Sequence, residues 1–200
     1  MSRVLVVDDE APLRRAWHRV LLRAGHEVAE AGSCAEAEAL LAHERVDVIL
    51  LDLIMPGGSG HGLLPVIAEL DPRPRVAIIS GYADAKQCFE LQTQGMLVLP
   101  KPIEGALLKR LVEQLSRRDD PLVDTYATAM ALSSRERQIL VLTYRKQSTK
   151  QIAEKLRCKE GTLASYWQRI FRKTGCRSKQ EVLASIVQHA EKQLVPAPLP

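Results

Sequence analysis

The stretch Val46-Asp47-Val48-Ile49-Leu50-Leu51-Asp52-Leu53-Ile54-Met55-Pro56 decides the fold. Its apolar run is too short for a buried helix. It is rich in β-branched and aliphatic residues and ends on a carboxylate and a turn, as a parallel strand buried on both faces does. The sequence on either side repeats the pattern. Arg3 to Val7 is a second such run, and Asp8 and Asp9 follow it. Arg75 to Ile79 runs into Ser80, and Met96 to Leu99 runs toward Lys101 and Pro102. Glu27 to Glu30 is a weaker strand. Helical patterns separate them. One starts near Pro12, a residue suited to a first turn, and ends at Gly25. A second opens at Ser33 and reaches about His43, with Glu36 three residues on as in a capping box. Others run to about Leu70 after the loop Pro56 to Gly62, from Ala83 to about Thr93, and from Ile103 to about Arg117. Five βα units in order predict a doubly wound α/β sheet with flavodoxin-like topology, because parallel crossovers are right-handed. Such sheets carry their sites beyond the carboxyl ends of the strands.

Charge divides the chain. Residues 1–120 hold 14 Lys+Arg against 18 Asp+Glu, a net −4; residues 121–200 hold 14 against 6, a net +8; together these give the whole chain's +4. An acidic half followed by a basic half predicts two modules with different partners, the basic one suited to nucleic acid. Apolar residues make up 46% of the 200, enough for two small cores. No run is long and apolar enough to cross a membrane, and the acidic residues at Asp8 and Asp9 come too early for a signal peptide, so a cytoplasmic location is the default expectation. The four cysteines, Cys34, Cys88, Cys158 and Cys176, form no CxxC pair, and reduced thiols are expected.

The predicted strand ends bring Asp8, Asp9 and Asp52 into one crevice with Ser80 and Lys101. Close carboxylates repel one another, so one should hold its proton unusually well or a cation should bind. An all-oxygen donor set without His or thiolate selects Mg²⁺. A carboxylate there can attack phosphorus, while an ammonium and a hydroxyl hold the phosphoryl oxygens.

The second half is helical throughout. The boundary falls at Arg117 to Pro121, and residues 119–131 read as a linker with helical potential. Capping boxes are expected at Ser133…Glu136, Ser148…Gln151 and Ser178…Glu181. With an amphipathic run from about Glu160 to Thr174 they predict four short helices over 132–192, then a tail over 193–200. A short helix, a tight turn and a longer basic helix are the parts of a helix-turn-helix.

Two resemblances follow. Asp8-Asp9, Asp52-Leu53-Ile54-Met55-Pro56, Gly60, Ser80-Gly81 and Lys101-Pro102 resemble the receiver domain of two-component response regulators, here over residues 1–118. The resemblance implies that Asp52 accepts a phosphoryl group from a cognate histidine kinase. It implies that Asp8, Asp9, Asp52 and the Ile54 carbonyl ligate Mg²⁺, that Ser80 and Lys101 contact the phosphoryl group, and that the Lys101–Pro102 bond is cis. Leu132-Ser133, Arg135-Glu136, Ile139-Leu140, Lys150-Gln151-Ile152-Ala153, Thr162-Leu163 and Gly175…Ser178 resemble the LuxR/FixJ-type helix-turn-helix. That implies transcriptional regulation, and homodimerisation once phosphorylated. Candidate DNA contacts are Lys150, Thr162, Ser165, Tyr166, Gln168, Arg169, Arg172 and Lys173; Ile152, Leu156, Leu163, Ile170 and Phe171 are expected in the core, and Trp167 stays open between core, interface and DNA.

Departures from these patterns sharpen the expectations. Val98 stands three before Lys101, where relatives often carry an aromatic, so the readout of the switch is expected to differ. The Ile54/Tyr82 pair is expected to slow loss of the phosphoryl group. Ala164 stands where a DNA-contacting Lys is common, and Lys146 where a helix-ending Gly is common. The alternative reading is therefore a phosphorylation-controlled switch whose helix-turn-helix binds a protein partner. Catalysis beyond self-phosphotransfer and autodephosphorylation is not expected. A haloacid dehalogenase-type phosphatase would need a second Asp two residues after the nucleophile, where Ile54 stands.

Overall fold

The computed structural model describes residues 1–55, 58–81, 84–117 and 120–194. Five strands, β1 (Arg3–Val7), β2 (Glu27–Ala31), β3 (Val48–Leu51), β6 (Arg75–Ser80) and β7 (Leu97–Pro100), form one parallel sheet in the order β2-β1-β3-β6-β7. Helices α1 (Ala11–Arg23) and α5 (Gly105–Leu115) lie together, with α2 (Cys34–Leu41) and α3 (Leu63–Glu69) packed on each other elsewhere; α4 (Ala85–Thr93) packs by edge strand β7. The strand period of two sorts the core. Val4, Val6, Val48 and Leu50 pack with Trp17, Leu21 and α5, while Leu5, Val7, Ile49 and Leu51 pack with Ala37, Leu41, Leu63 and Ile67.

The fold class expected from the sequence is the one observed, with local differences. The loop after Asp52 closes a two-residue antiparallel hairpin, β4 (Ile54–Met55) with β5 (Gly58–Ser59), before a 3-10 turn at Gly60–Gly62. Pro56 and Tyr82 lie outside the described residues, as do residues 118–119 of the boundary and 195–200 of the tail. Residues 193 and 194 are not tail: α10 (Lys179–Leu194) continues through both, because Leu194 is buried in the core.

The second half holds α6 (Pro121–Ala129), α7 (Ser134–Tyr144), α8 (Thr149–Lys155), α9 (Glu160–Thr174) and α10. The segment with helical potential is thus a full helix. Pro121 begins it, and Leu122, Val123, Tyr126 and Ala127 are its buried face. Ser133 and Ser148 form complete capping boxes with Glu136 and Gln151. At α2 and α10 only half of the box forms. Ser33 and Ser178 accept from Glu36 and Glu181, but those carboxylates reach the amides of Gly32 and Arg177 instead.

The two halves share one continuous apolar cluster. Leu97, Leu99, Leu108 and Leu111 of the α/β half run into Leu122, Tyr126, Ile186, Val187 and Ala190. Helix α10 lies along α4 and β7 and covers the sheet edge there. An edge strand presents unpaired backbone donors, and α10 answers one of them: the Val98 amide donates to Glu191 Oε1 at 2.8 Å. Glu191 Oε2 accepts from the buried Gln92 at 2.8 Å, and Gln188 donates to Gln92 Oε1 at 2.9 Å. At the opposite end of the strands, fully buried Asp120 takes Arg75 of β6 and Arg145 at the end of α7 together. The Tyr144 hydroxyl donates to the Gly95 carbonyl at 3.1 Å, with the Arg75 guanidinium over its ring.

Removing a buried charge partner leaves uncompensated charge, so Asp120→Ala should lower stability by about 2–4 kcal/mol. Chemical denaturation should show this loss, together with a separate, earlier transition for one of the halves; an unchanged single transition would contradict the clasp.

Candidate functional site

Four strand ends build the site. β1 ends at Val7 and places Asp8, fully buried, and Asp9 beside it; β3 ends at Leu51 and places Asp52, 4% exposed. Carboxylate oxygens of Asp8, Asp9 and Asp52 all lie within 4.8 Å of one another. The turn is held locally. Asp8 accepts from the Glu10 amide at 2.9 Å, and Asp52 from the Ile54 amide at 3.0 Å. These bonds aim the remaining carboxylate oxygens into the crevice.

Lys101, just past β7, reaches across to the acids. Its ammonium lies 2.5 Å from Asp52 Oδ2, 2.7 Å from Asp8 Oδ2 and 3.6 Å from Glu10 Oε1. Burial works against the lysine's charge, but the hydrogen bonds and attraction of Asp52 and Asp8 outweigh it and raise its pKa. Burial pushes the Asp8 carboxyl above its ordinary range despite the pull of Lys101. The Lys101–Pro102 peptide is cis. Ser80 ends β6, 4% exposed, and its hydroxyl oxygen has no hydrogen-bond partner among the described residues. A buried hydroxyl without a partner is unusual and marks a place for an incoming polar group.

All five residues named from sequence at this site are therefore brought together. Ile54 stands next to them, 55% exposed. Its proposed partner Tyr82 lies outside the described residues. Gly60 is a site residue whose reason emerges only in three dimensions: a Cβ there would fall 2.2 Å from the Asp52 carbonyl oxygen and 3.0 Å from Leu53 Cα. The Gly60 amide donates to the Leu53 carbonyl at 3.0 Å and fixes the loop under Asp52.

The oxygen-only donor set, with Asp8 desolvated, fits a small hard divalent cation. The site concentrates negative charge, holds it with one lysine and leaves one hydroxyl open. It can therefore position a phosphoryl group against a carboxylate and neutralise the charge that arrives.

The helical half forms a second candidate surface. On α9, Thr162, Ser165, Gln168, Arg169 and Arg172 are exposed along one side, and Lys150 is exposed on α8. Leu163, Trp167 and Ile170 form the opposite, buried side. Trp167 is thus a core residue, packed near Phe171 and under the Lys179 ammonium. Tyr166 is half-buried, with Arg169 over its ring at 5.4 Å. Lys173 is exposed, but intramolecular contacts hold its ammonium. It pairs with buried Glu136 at 2.7 Å and donates to the Ala131 carbonyl at 2.9 Å. Spacing could not separate it from Arg172, since its partner lies 37 residues away. The four cysteines form no disulfide with one another.

Comparison with known proteins agrees with this anatomy. Residues 4–113 match the response regulator receiver domain, and residues 130–186 match the bacterial regulatory proteins of the luxR family. The chain is 29% identical to the DNA-binding transcriptional activator DevR/DosR of Mycobacterium tuberculosis over 200 residues, covering 90% of this chain and 92% of the relative. It is 34% identical to the response regulator protein FleR of Pseudomonas aeruginosa, covering 72% of this chain but 30% of FleR. Other curated relatives, PilR of the same organism and AfsQ1 of Streptomyces coelicolor, are covered over 27% and 53% of their length. Among solved structures, a CheY-like receiver domain from Methanospirillum hungatei aligns with a TM-score of 0.55 at 25% identity, covering 60% of this chain and 98% of that one. The response regulator TrrA of Thermotoga maritima, solved in complex with Mg²⁺ and BeF, aligns with a TM-score of 0.51 at 26% identity, covering 57% and 99%.

Gly60→Ala should therefore reshape the Asp52 loop and destabilise the α/β half by roughly 2 kcal/mol or more, read as a lower thermal midpoint; an unchanged midpoint would contradict the close approach. From the strand-end acids to the helix-turn-helix, the chain belongs to the response regulator family, with a receiver domain followed by a LuxR-family regulatory domain.

Proposed function

We propose that Asp52 accepts a phosphoryl group from a phosphohistidine of a histidine kinase, and that the resulting change controls transcription through DNA binding by the second half. The carrying observation is the convergence of Asp8, Asp9, Asp52, Ser80 and Lys101 in one crevice. An Asp52 carboxylate oxygen attacks phosphorus, the P–N bond to the kinase breaks, and an acyl phosphate forms. Asp8, Asp9, Asp52 and the Ile54 carbonyl would hold Mg²⁺, which supplies charge neutralisation when bound. The TrrA relative's Mg²⁺–BeF complex supports that assignment. The open Ser80 hydroxyl donates to a phosphoryl oxygen, and Lys101 moves from the Asp52 carboxylate to the phosphoryl group.

Phosphorylation adds about −1.5 to −2 charge at Asp52, so Lys101 is drawn to a new position. Lys101 directly follows β7, three residues beyond Val98, whose amide Glu191 of α10 holds. In this protein the edge-strand backbone carries the readout expected elsewhere from an aromatic side chain. Movement of β7 loosens α10 and frees the basic domain, which then reads paired half-sites as a homodimer. Thr162, Ser165, Gln168, Arg169 and Arg172 are the proposed DNA-facing residues, with Lys150 on phosphate. Their open, basic surface favours DNA over the protein-partner reading.

Glu191 makes this contact sensitive to pH. Burial pushes its carboxyl up to about 7 from an ordinary 4.5, against the pull of the Val98 amide and Gln92. Closure therefore takes up a proton. It is strongest at low pH and weakens as pH rises toward and through 7, so closure should weaken by at most roughly tenfold between pH 6 and pH 8. Fluorescence transfer between labels on the two halves checks this; Glu191→Gln should flatten the dependence, and a contact that tightens with pH would contradict it.

Treated with acetyl phosphate and Mg²⁺, the wild type should show a phosphate-affinity gel shift and Asp52→Asn none; a shift in Asp52→Asn would overturn the assignment. In DNA capture from genomic fragments, Arg169→Ala and Arg172→Ala should weaken binding, each reducing the salt slope by about one. Unchanged slopes in both would remove these residues from the interface.

A further inference from the structure

A cavity of about 280 Å³ opens between the two halves, at the strand end opposite Asp52. The α3–β6 loop and the turn before β7 line it on one side, and the end of α7 on the other. Four cations face it: Arg73 and Arg75 from the receiver, Arg145 and Lys146 from the helical domain. Arg75 and Arg145 share the single carboxylate of buried Asp120, so the trio keeps one net positive charge. Asp71 is on the rim. Arg73 and Lys146 have no carboxylate partner among the described residues. Their one mutual interaction is repulsion: desolvation lowers both pKa values, and Arg73 lowers that of Lys146 further.

The backbone adds to the anomaly. Lys146 follows α7 with φ of 60°, the left-handed conformation that glycine takes most readily at a helix end. Ala131 and Arg157 share that conformation, so backbone strain alone points to nothing. What sets Lys146 apart is that its strained position holds a charge against a second unpaired charge across a domain boundary. Arg73 is half-buried and Lys146 exposed at the mouth of the cleft, and two like charges lining one cleft without a counterion favour an incoming anion.

We propose that this cleft binds a small phosphorylated anion, of about pyrophosphate size, bridging Arg73 of the receiver to Lys146 of the helical domain. The volume lies just below the usual range of small-ligand sites, as suits an anion of this size. A guanidinium fork with an ammonium suits phosphoryl oxygens, and the Arg75–Asp120–Arg145 clasp, with one net positive charge, forms the adjoining wall. Bound there, the anion ties the two halves together and holds the closed arrangement. The site is thus an effector input separate from Asp52, and it does not depend on Asp52 being phosphorylated.

Isothermal titration of inorganic pyrophosphate into the full chain tests this. The background is Asp52→Asn without Mg²⁺, so the receiver pocket contributes nothing. One saturable site is expected, with a rise in thermal midpoint on binding. Arg73→Gln and Lys146→Gly should each weaken binding at least tenfold. Without ligand, both should melt no lower than the parent, because each removes repulsion and glycine suits the backbone at Lys146. Absence of binding, affinity unchanged from the parent in either variant, or ligand-free variants that melt below the parent would each overturn the proposal. The last result would mean that the cations hold the fold instead.

Discussion

The Lys101 ammonium, held between the carboxylates of Asp8 and Asp52, is the interaction on which the rest depends. Two desolvated carboxylates at adjacent strand ends would otherwise repel each other and spread those ends. Lysine binds them while keeping one charge free to exchange. Because it sits at the end of the edge strand, any change in the charge of Asp52 acts on β7. The second half also packs along that strand, through α10. Electrostatics at one end of the sheet and packing along its edge therefore share a single short segment, Leu97 to Lys101.

That arrangement explains how a LuxR-family helix-turn-helix is carried without its reading helix being covered. The polar side of α9 stays exposed, while α10 is the element spent on the receiver. Leu183, Ile186, Val187, Ala190 and Leu194 bury themselves in a core that begins in the sheet. Glu191 and Gln188 give that apolar contact a fixed register through Gln92 and Val98. A buried carboxylate on a backbone amide adds little net stability, but it penalises sliding, since a shifted helix leaves charge and amide unsatisfied. Under the proposed function, control acts on what α10 can do next, rather than on access to α9.

Much of this was legible in the sequence, and what was not has a common cause. The sheet could be read because each strand's burial is written in its own residues, as in Val48 to Leu51. The site could be read because Asp8, Asp52, Ser80 and Lys101 follow those strands directly, so topology alone brings them together. Gly60 gave a pattern without a reason; the reason is the Asp52 carbonyl beneath it. Nothing in the sequence singles out Glu191 or Asp120, and Lys173 reads there as a candidate DNA contact. Their partners lie 93, 25 and 37 residues away, beyond any helical or strand period. Trp167 stayed ambiguous until α10 was seen to bring Lys179 over its ring. The extent of α6 and α10 was underread for a similar reason, since the apolar surface that stabilises them belongs partly to the other half of the chain.

Amide hydrogen exchange across Leu97 to Pro100 and Gln188 to Leu194 tests the central claim most directly, with Asp52 unmodified and then fully phosphorylated by acetyl phosphate and Mg²⁺. The Val98 amide should be protected at first. On phosphorylation, both segments should exchange faster together, while β1 and β3 should not change. Full phosphorylation with unaltered protection at Val98 and along α10 would contradict a coupling that runs from Lys101 through β7 to Glu191.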